Sequence, residues 1–392
     1  MANGDPIPLD EIEVTAPTAT PGAPGPARHF DEFLLPPMPL TVAVVVIDGM
    51  RYWEWTSVSV RLALQEDPLE TFRFTCTEQT PFAESWAFLR IRPGQKCAIY
   101  LDGELAISGS VVERQVAYDA TQHVVEIQGQ GDSGILGDTT AKLKTNEFKN
   151  ITLQELANAL SASSGVRIQT LGKLPDFKFP RVSLTTETVR EALEKYSRQV
   201  GVLFGPNKFG ALTLAGPGAF TSGPAQLIEG RNILIGREVL HSKTAATSQG
   251  TFSQAPGNDD QWGGDPTHGR HVEGSNFGTP GLTLPKTLRQ LGEIPGWTVD
   301  MLKNRQKFEA KISADTEVTV TITQLGWQRP TGGLWRPWDT VFVDSPMLIM
   351  NEMLVVKAVT FTQDNQNGTR ATLELKREED LSRGRDLTPQ GQ

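Results

Sequence analysis

Four groups of residues have side-chain types and spacings that could do chemistry. His268 and His271, with Asp265 and Glu273 nearby, are zinc-ligand types at short spacing. They stand among Gly263, Gly264 and Gly269, whereas a metal site needs an ordered supporting shell. A solvated loop is the expected reading, with no metal. Gly129-Gln130-Gly131-Asp132-Ser133-Gly134 fits the G-x-G-x-x-G spacing of a dinucleotide fingerprint, in which a helix N-terminus carries the pyrophosphate. Here it follows a meander of strands, and Ile135-Leu136-Gly137-Asp138 is a poor opening for a cofactor helix. The stretch reads as a flexible hinge whose glycines supply unusual dihedrals. Its Gly131-Asp132-Ser133-Gly134 also echoes a serine-protease nucleophile loop, which requires a His and an Asp converging on the Ser. His123, the nearest histidine in sequence, begins a strand with nothing to hold it as a base. Trp327, Trp335 and Trp338, clustered around Gly332, Gly333 and Pro337, could stack on sugars or bases. A plug at a barrel end or a subunit contact is favoured, because Trp supplies much buried area for few rotatable bonds. No catalytic, cofactor or metal site emerges, so no enzymatic activity is expected.

The elements that would position these residues begin with composition. At 392 residues, 38% hydrophobic and 21% charged, the chain suits about two to four soluble domains. A net charge of −9 argues against a general nucleic-acid binder and against docking on anionic lipid. The opening MANGDPIPLD lacks the basic start and apolar stretch of a signal peptide. The longest apolar run, Val42 to Ile47, is far below the ~20 residues of a membrane helix. Cys76 and Cys97 alternate with apolar neighbours and are expected as buried thiols on strands, in a protein made in a reducing cytoplasm.

Residues 1–40 form an extended, Pro-rich acidic arm; Asp5, Asp10, Glu11, Glu13, Asp31 and Glu32 face a single Arg28. Phe30, Phe33 and Leu34 are its candidate anchors on a partner. Residues 41–134 carry short, evenly spaced strands with tight-turn dipeptides Asp48-Gly49 and Asp102-Gly103, the texture of a first antiparallel β-barrel. Residues 135–218 change period. Thr152-Leu153-Gln154-Glu155 is a capping box opening a helix with Leu153, Leu156, Ala157 and Leu160 on one face. A second helix runs from about Thr186 to Gln199 and stops at Gly201, followed by a hairpin around 205–208, giving a small α/β domain. Residues 219–380 return to β texture as a second barrel, interrupted at 250–296 by a Gly-, Pro- and Asn-rich excursion or partner-binding loop; 381–392 are a polar tail. Val111–Tyr118, a turn and a closing strand correspond loosely to Val355–Phe361, a turn and Ala371–Leu375. If that repeat is real, two barrels of one design flank an inserted domain.

Several stretches, in order, resemble the Mu-like baseplate hub family of contractile-tailed phages. They are Val44–Trp55 with its ending Ile47-Asp48-Gly49-Met50-Arg51-Tyr52-Trp53-Glu54-Trp55; Pro93-Gly94, then Ile99-Tyr100-Leu101-Asp102-Gly103-Glu104 and Ser108-Gly109; and the helices Leu153–Leu160 and Thr188–Arg198 before Gly201-Val202-Leu203. Last come Gly326-Trp327 and Gly333-Leu334-Trp335-Arg336-Pro337, ahead of Val341-Phe342-Val343 and Leu354-Val355-Val356. Each motif alone is weak and the ordered series is fairly specific. The arm and Trp338, where a small polar residue is expected, depart from the pattern. The resemblance implies a non-enzymatic virion protein of the tail baseplate, assembled in the host cytoplasm. It implies a mainly β chain with an α+β insertion, two tube-like antiparallel barrels and a homotrimeric ring. That ring would adapt a six-fold tail tube to a three-fold central spike and nucleate assembly. Implied partners are the tube protein, the spike, other baseplate proteins and the tape measure protein, with DNA only passing through the lumen and no membrane insertion. Interface candidates are Phe30, Phe33, Leu34, Trp53, Trp55, Trp327, Trp335 and Trp338. A spike or secretion-system hub component and a carbohydrate-binding tail accessory are the alternatives, and a cell-wall hydrolase is a third rival that would need a paired acid and base not found in the sequence.

Overall fold

The computed structural model describes residues 43–377, apart from 53–54, 67, 78–90, 119–122, 142–146, 185, 208, 217–218, 241–247, 254–269, 276–286, 292–301, 304–305 and 307–317. The arm with Phe30, Phe33 and Leu34, Trp53, His268, much of 250–296 and the tail 381–392 therefore lie outside the described residues.

Strands β1 (Ala43–Ile47) and β2 (Met50–Tyr52) are joined by Asp48-Gly49, both at positive φ (46° and 85°), the turn whose twist matches a hairpin. Asp102-Gly103, at 52° and 76°, does the same between β5 (Lys96–Leu101) and β6 (Glu104–Tyr118). Strand β3 spans Ser57–Ala63. With β4 (Glu70–Thr77) and β7 (His123–Gly131) these run in the order β3-β4-β7-β6-β5-β1-β2.

A short α1 (Ile135–Asp138) enters the insertion. Strand β8 (Glu147–Thr152) leads into α2 (Leu153–Ser161), whose capping box joins Thr152 and Glu155 as the sequence requires. After β9 (Ile168–Leu171) and β10 (Lys178–Ser183), α3 (Val189–Val200) opens on a second capping box, Thr188 with Glu191. It stops at Gly201, left-handed at φ 65°. The expected hairpin is β11 (Leu203–Pro206) with β12 (Leu212–Ala215). Leu156, Leu160, Leu193, Tyr196 and Phe179 fill a core separate from that of the main sheet.

Strands β13 (Thr221–Ile228) and β14 (Ile235–Leu240) return the chain to the main sheet. Within the stretch expected as a loop, β15 (Ser248–Ser253), β16 (Arg270–Ser275) and β17 (Thr287–Leu291) form a small sheet of their own. Dense Gly and Pro hide such short runs from periodicity, and their pairing is non-local. Then come β18 (Val318–Leu325), β19 (Asp339–Ser345), β20 (Met350–Asp364) and β21 (Gly368–Arg377).

The mainly β class with an α/β insertion is as expected, but the ladder differs from two closed barrels. β20 pairs β3 from Ala358↔Ala63 to Asp364↔Ser57, so the two regions share one 13-stranded sheet. Among the described residues its path is open, ending at β14 and β2, and one buried cluster runs from Val45 and Phe72 to Phe361 and Leu375. The internal repeat survives as a pairing pattern: β14-β18-β21-β20-β19 repeats β3-β4-β7-β6-β5. Both long middle strands carry a bulge, at Val111/Glu113 on β6 and Val356/Ala358 on β20. The bulges align Val112 with Lys357 and Val116 with Phe361, one residue from the alignment the sequence suggests. The repeat is imperfect, because β13 runs parallel to β19 while β1 is antiparallel to β5.

Candidate functional site

The loop between β18 and β19 is where the tryptophans act. Trp327 and Trp335 are fully buried, and Trp327 donates its indole N–H to the Thr362 carbonyl at 3.1 Å. They are interior plugs, so as interface candidates Trp327, Trp335 and Trp338 are corrected. An indole enclosed by its own chain cannot face a partner. Trp338 is buried at φ 84°, a left-handed conformation that explains why a small residue is expected there. Its ring lies where a Cβ on Gly205 would come within 3.1 Å of Cζ2, joining the insertion to Leu64 and Val355. Trp55 is half-buried against the main core, donating from Nε1 to the Ala43 carbonyl at 3.0 Å.

Around these rings the loop fastens the second β region to the β5–β6 hairpin of the first. Arg336 donates to the Ala106 carbonyl at 2.7 Å and also to Leu105 O. The Leu334 N–H donates to Glu104 Oε2 at 2.9 Å, and Gln328 donates to the Asp102 carboxylate. Buried Asp339 accepts from the Arg336 N–H at 2.7 Å and from Arg329 at 3.3 Å. Burial raises the Asp339 carboxyl against the pull of these partners, and burial lowers the Arg336 guanidinium.

The glycine-rich stretch is a packed corner instead of a hinge. Gly131 and Gly134 have φ of −63° and −61°, open to any residue. What they supply is space: a Cβ at Gly129 would meet the Phe72 ring and lie 2.5 Å from Ser110 O, and one at Gly131 would lie 2.6 Å from Glu70 Cβ. Ser133 is buried and donates to Glu70 Oε2 at 2.7 Å. His123 is eight residues from Gly131 along the same strand, about 26 Å at the strand rise, so it does not serve Ser133 as a base. Burial pushes the Glu70 carboxyl up to about 7, with the Ser133 hydroxyl opposing and neighbouring Asp132 adding to the rise. Asp132 in turn accepts from Lys96 at 2.7 Å and Ser108 at 2.9 Å. Sequence reasoning missed Glu70, although its parity with Phe72, Phe74 and Cys76 on β4 marks it as inward.

Beside this corner a cleft of about 860 Å³ opens between the first β region and the insertion, lined by Lys96, Asp132, Arg167 and Phe209 among others. Its described lining contains no histidine or cysteine. Among the described residues no three His, Cys, Asp or Glu side chains are placed to hold a metal; of His271 the backbone on β16 alone is described. No helix among them is long and apolar enough to cross a membrane. Cys76 and Cys97 are buried on β4 and β5, as expected.

Residues 42–131 match the family of Mu phage baseplate assembly protein GpP-like N-terminal domains, and residues 133–216 match the second domain of gp44-like baseplate hub proteins. The two matches meet at Asp132, in the packed corner. Baseplate hub protein gp44 of Escherichia phage Mu is 25% identical over 342 residues, covering 84% of this chain and 86% of its own. The chain is similar to Mu-like baseplate hub proteins of phage tails across both matched domains. Two solved structures share its fold. The 43 kDa tail protein of prophage MuSo2 from Shewanella oneidensis aligns with a TM-score of 0.75 at 21% identity, covering 87% of this chain and 99% of itself. The tail protein from Neisseria meningitidis MC58 aligns with a TM-score of 0.72 at 18% identity, covering 88% and 98%.

Proposed function

We propose that the hub protein is a non-enzymatic ring component, working as a homotrimer that adapts the six-fold tail tube to the three-fold central spike and nucleates tail assembly. The observation that carries this is the repeated pairing pattern, β3-β4-β7-β6-β5 and again β14-β18-β21-β20-β19. A chain with two similar sheet modules presents six of them in a closed ring of three, and closed rings are built from head-to-tail contacts. The buried plug of Trp327 and Trp335 and the fastening by Arg336 favour a rigid adaptor, because the two modules share a core. The partners on this reading are the tube protein on one face, the spike on the other, and other baseplate proteins including the tape measure protein around the axis. DNA would pass through the lumen only.

Light scattering on the purified protein tests the stoichiometry, and electron microscopy of the hub mixed with its tube protein tests the adaptor role. A three-fold ring seated on the end of the tube is expected. A monomer that binds no tube would overturn the reading.

A further inference from the structure

The start of β4 lies on the seam between the first β region and the insertion. Leu69, just before β4, packs into the core of the insertion, and the Gln65 N–H donates to the Phe204 carbonyl on β11 at 3.2 Å. A Cβ on Gly210, in the β11–β12 turn, would lie 3.0 Å from Asp132 Cβ. Glu70 follows Leu69 and is 1% exposed; a methyl at Gly131 would overlap its Oε2. Its cover is Gly131 with the single 3-10 turn Asp132–Gly134, which leads straight into α1. That cover is locally weak: the turn has three residues, α1 has four, and neither carries a side-chain cap. Gly131, Asp132 and Ile135 of the cover also line the cleft, so lifting it brings Glu70 to water.

The charged groups around Glu70 are engaged elsewhere. Asp132, on the cover, repels its carboxylate. Arg336, from the β18–β19 loop, attracts it but gives its guanidinium donors to the Ala106 and Leu105 carbonyls. Lys96, on β5, is bound to Asp132 at 2.7 Å. Among the described residues Glu70 thus has the Ser133 hydroxyl as a partner and no ion pair. A buried carboxylate held this way costs more than the buried acid.

We propose that Glu70 is a proton-operated latch: the neutral acid keeps the turn and α1 seated on β4, and loss of the proton drives them off, loosening the insertion along the cleft. The direction follows from linkage. Seated, the carboxyl keeps its proton up to about pH 7; unseated into water, it loses it near the ordinary 4.5. The unseated fraction therefore rises about ten-fold per pH unit between those values, about 300-fold in all, and levels off above them.

Hydrogen exchange of the full-length protein tests the latch, read by mass spectrometry from pH 4.5 to about 8.5 and divided by the intrinsic exchange rate. Protection over residues 131–138 should fall about 300-fold up to pH 7 and then hold steady, while β18 and β21, at the other end of the ladder, keep theirs. Glu70→Gln should hold protection over 131–138 level across the whole range. Ser133→Ala removes the hydroxyl that favours the charged form, so its plateau should begin at a higher pH. Level protection in the wild type overturns the latch, as does a loss shared equally by β18 and β21. A pH-dependent loss that persists in Glu70→Gln, or a plateau that Ser133→Ala leaves in place, overturns it as well.

Discussion

Glu70 shows how one residue can set a property of the whole chain. Its carboxyl is buried beside Ser133 and Asp132, and desolvation holds it protonated until about pH 7 against an ordinary value of 4.5. Below 4.5 the group is neutral whether folded or unfolded, and its contribution to stability is then fully present. As pH rises, the unfolded chain ionises first, so stability declines and the contribution is exhausted once pH passes about 7. The gap corresponds to up to about 3 kcal/mol. Urea denaturation between pH 4.5 and 8 should show this decline, and Glu70→Gln should flatten much of it while leaving the Ser133 hydroxyl an acceptor. Gly129 makes a second residue-scale case. Gly129→Ala drives a methyl into the Phe72 ring and toward Ser110 O, and should cost about 1–3 kcal/mol in the same assay. An unchanged midpoint would mean that the corner yields, as a hinge would.

At the scale of elements, local sequence signals and long-range packing can be separated by mutation. Helix α3 is set by its own ends, Thr188 with Glu191 at the start and Gly201 at the stop. Thr188→Ala should cost about 1 kcal/mol, read as a shift in thermal midpoint, and leave the main sheet unaffected. The β18–β19 loop is set from outside. Arg336 anchors it to the Leu105 and Ala106 carbonyls of β6, next to buried Asp339. Arg336→Met would leave those groups without a charged partner and should cost about 3–5 kcal/mol. Proteolysis at 326–338 should become faster in that variant; cleavage at the wild-type rate would show that the tryptophans alone hold the loop.

For the whole molecule, assembly depends on surfaces that the chain offers to others. The arm, residues 1–40, combines six acidic residues and nine prolines with Phe30, Phe33 and Leu34. Proline already fixes φ, so ordering such a strand costs less entropy, and its charge would steer it to a basic surface. Deleting the arm should leave a folded hub whose incorporation into tails is reduced. Raised salt should mimic part of that loss in the intact protein. Equal incorporation of the truncated and full-length chains would show that the arm has no tethering role.

The sequence by itself determined what local physics decides. A capping box placed α2, Gly201 marked the end of α3, and Asp-Gly dipeptides placed two hairpins, because each signal lies within a few residues. Only the tertiary structure decided that Gly129 and Gly131 serve space and that the tryptophans face inward. It also decided that 248–291 carries a small sheet and that two β regions form one. All of these depend on residues far apart in the chain, such as Phe361 and Val60, being brought together. Period-two alternation says which face of a strand is buried and nothing about which strand lies beside it. The β20–β3 seam was therefore invisible until the ladder was assembled.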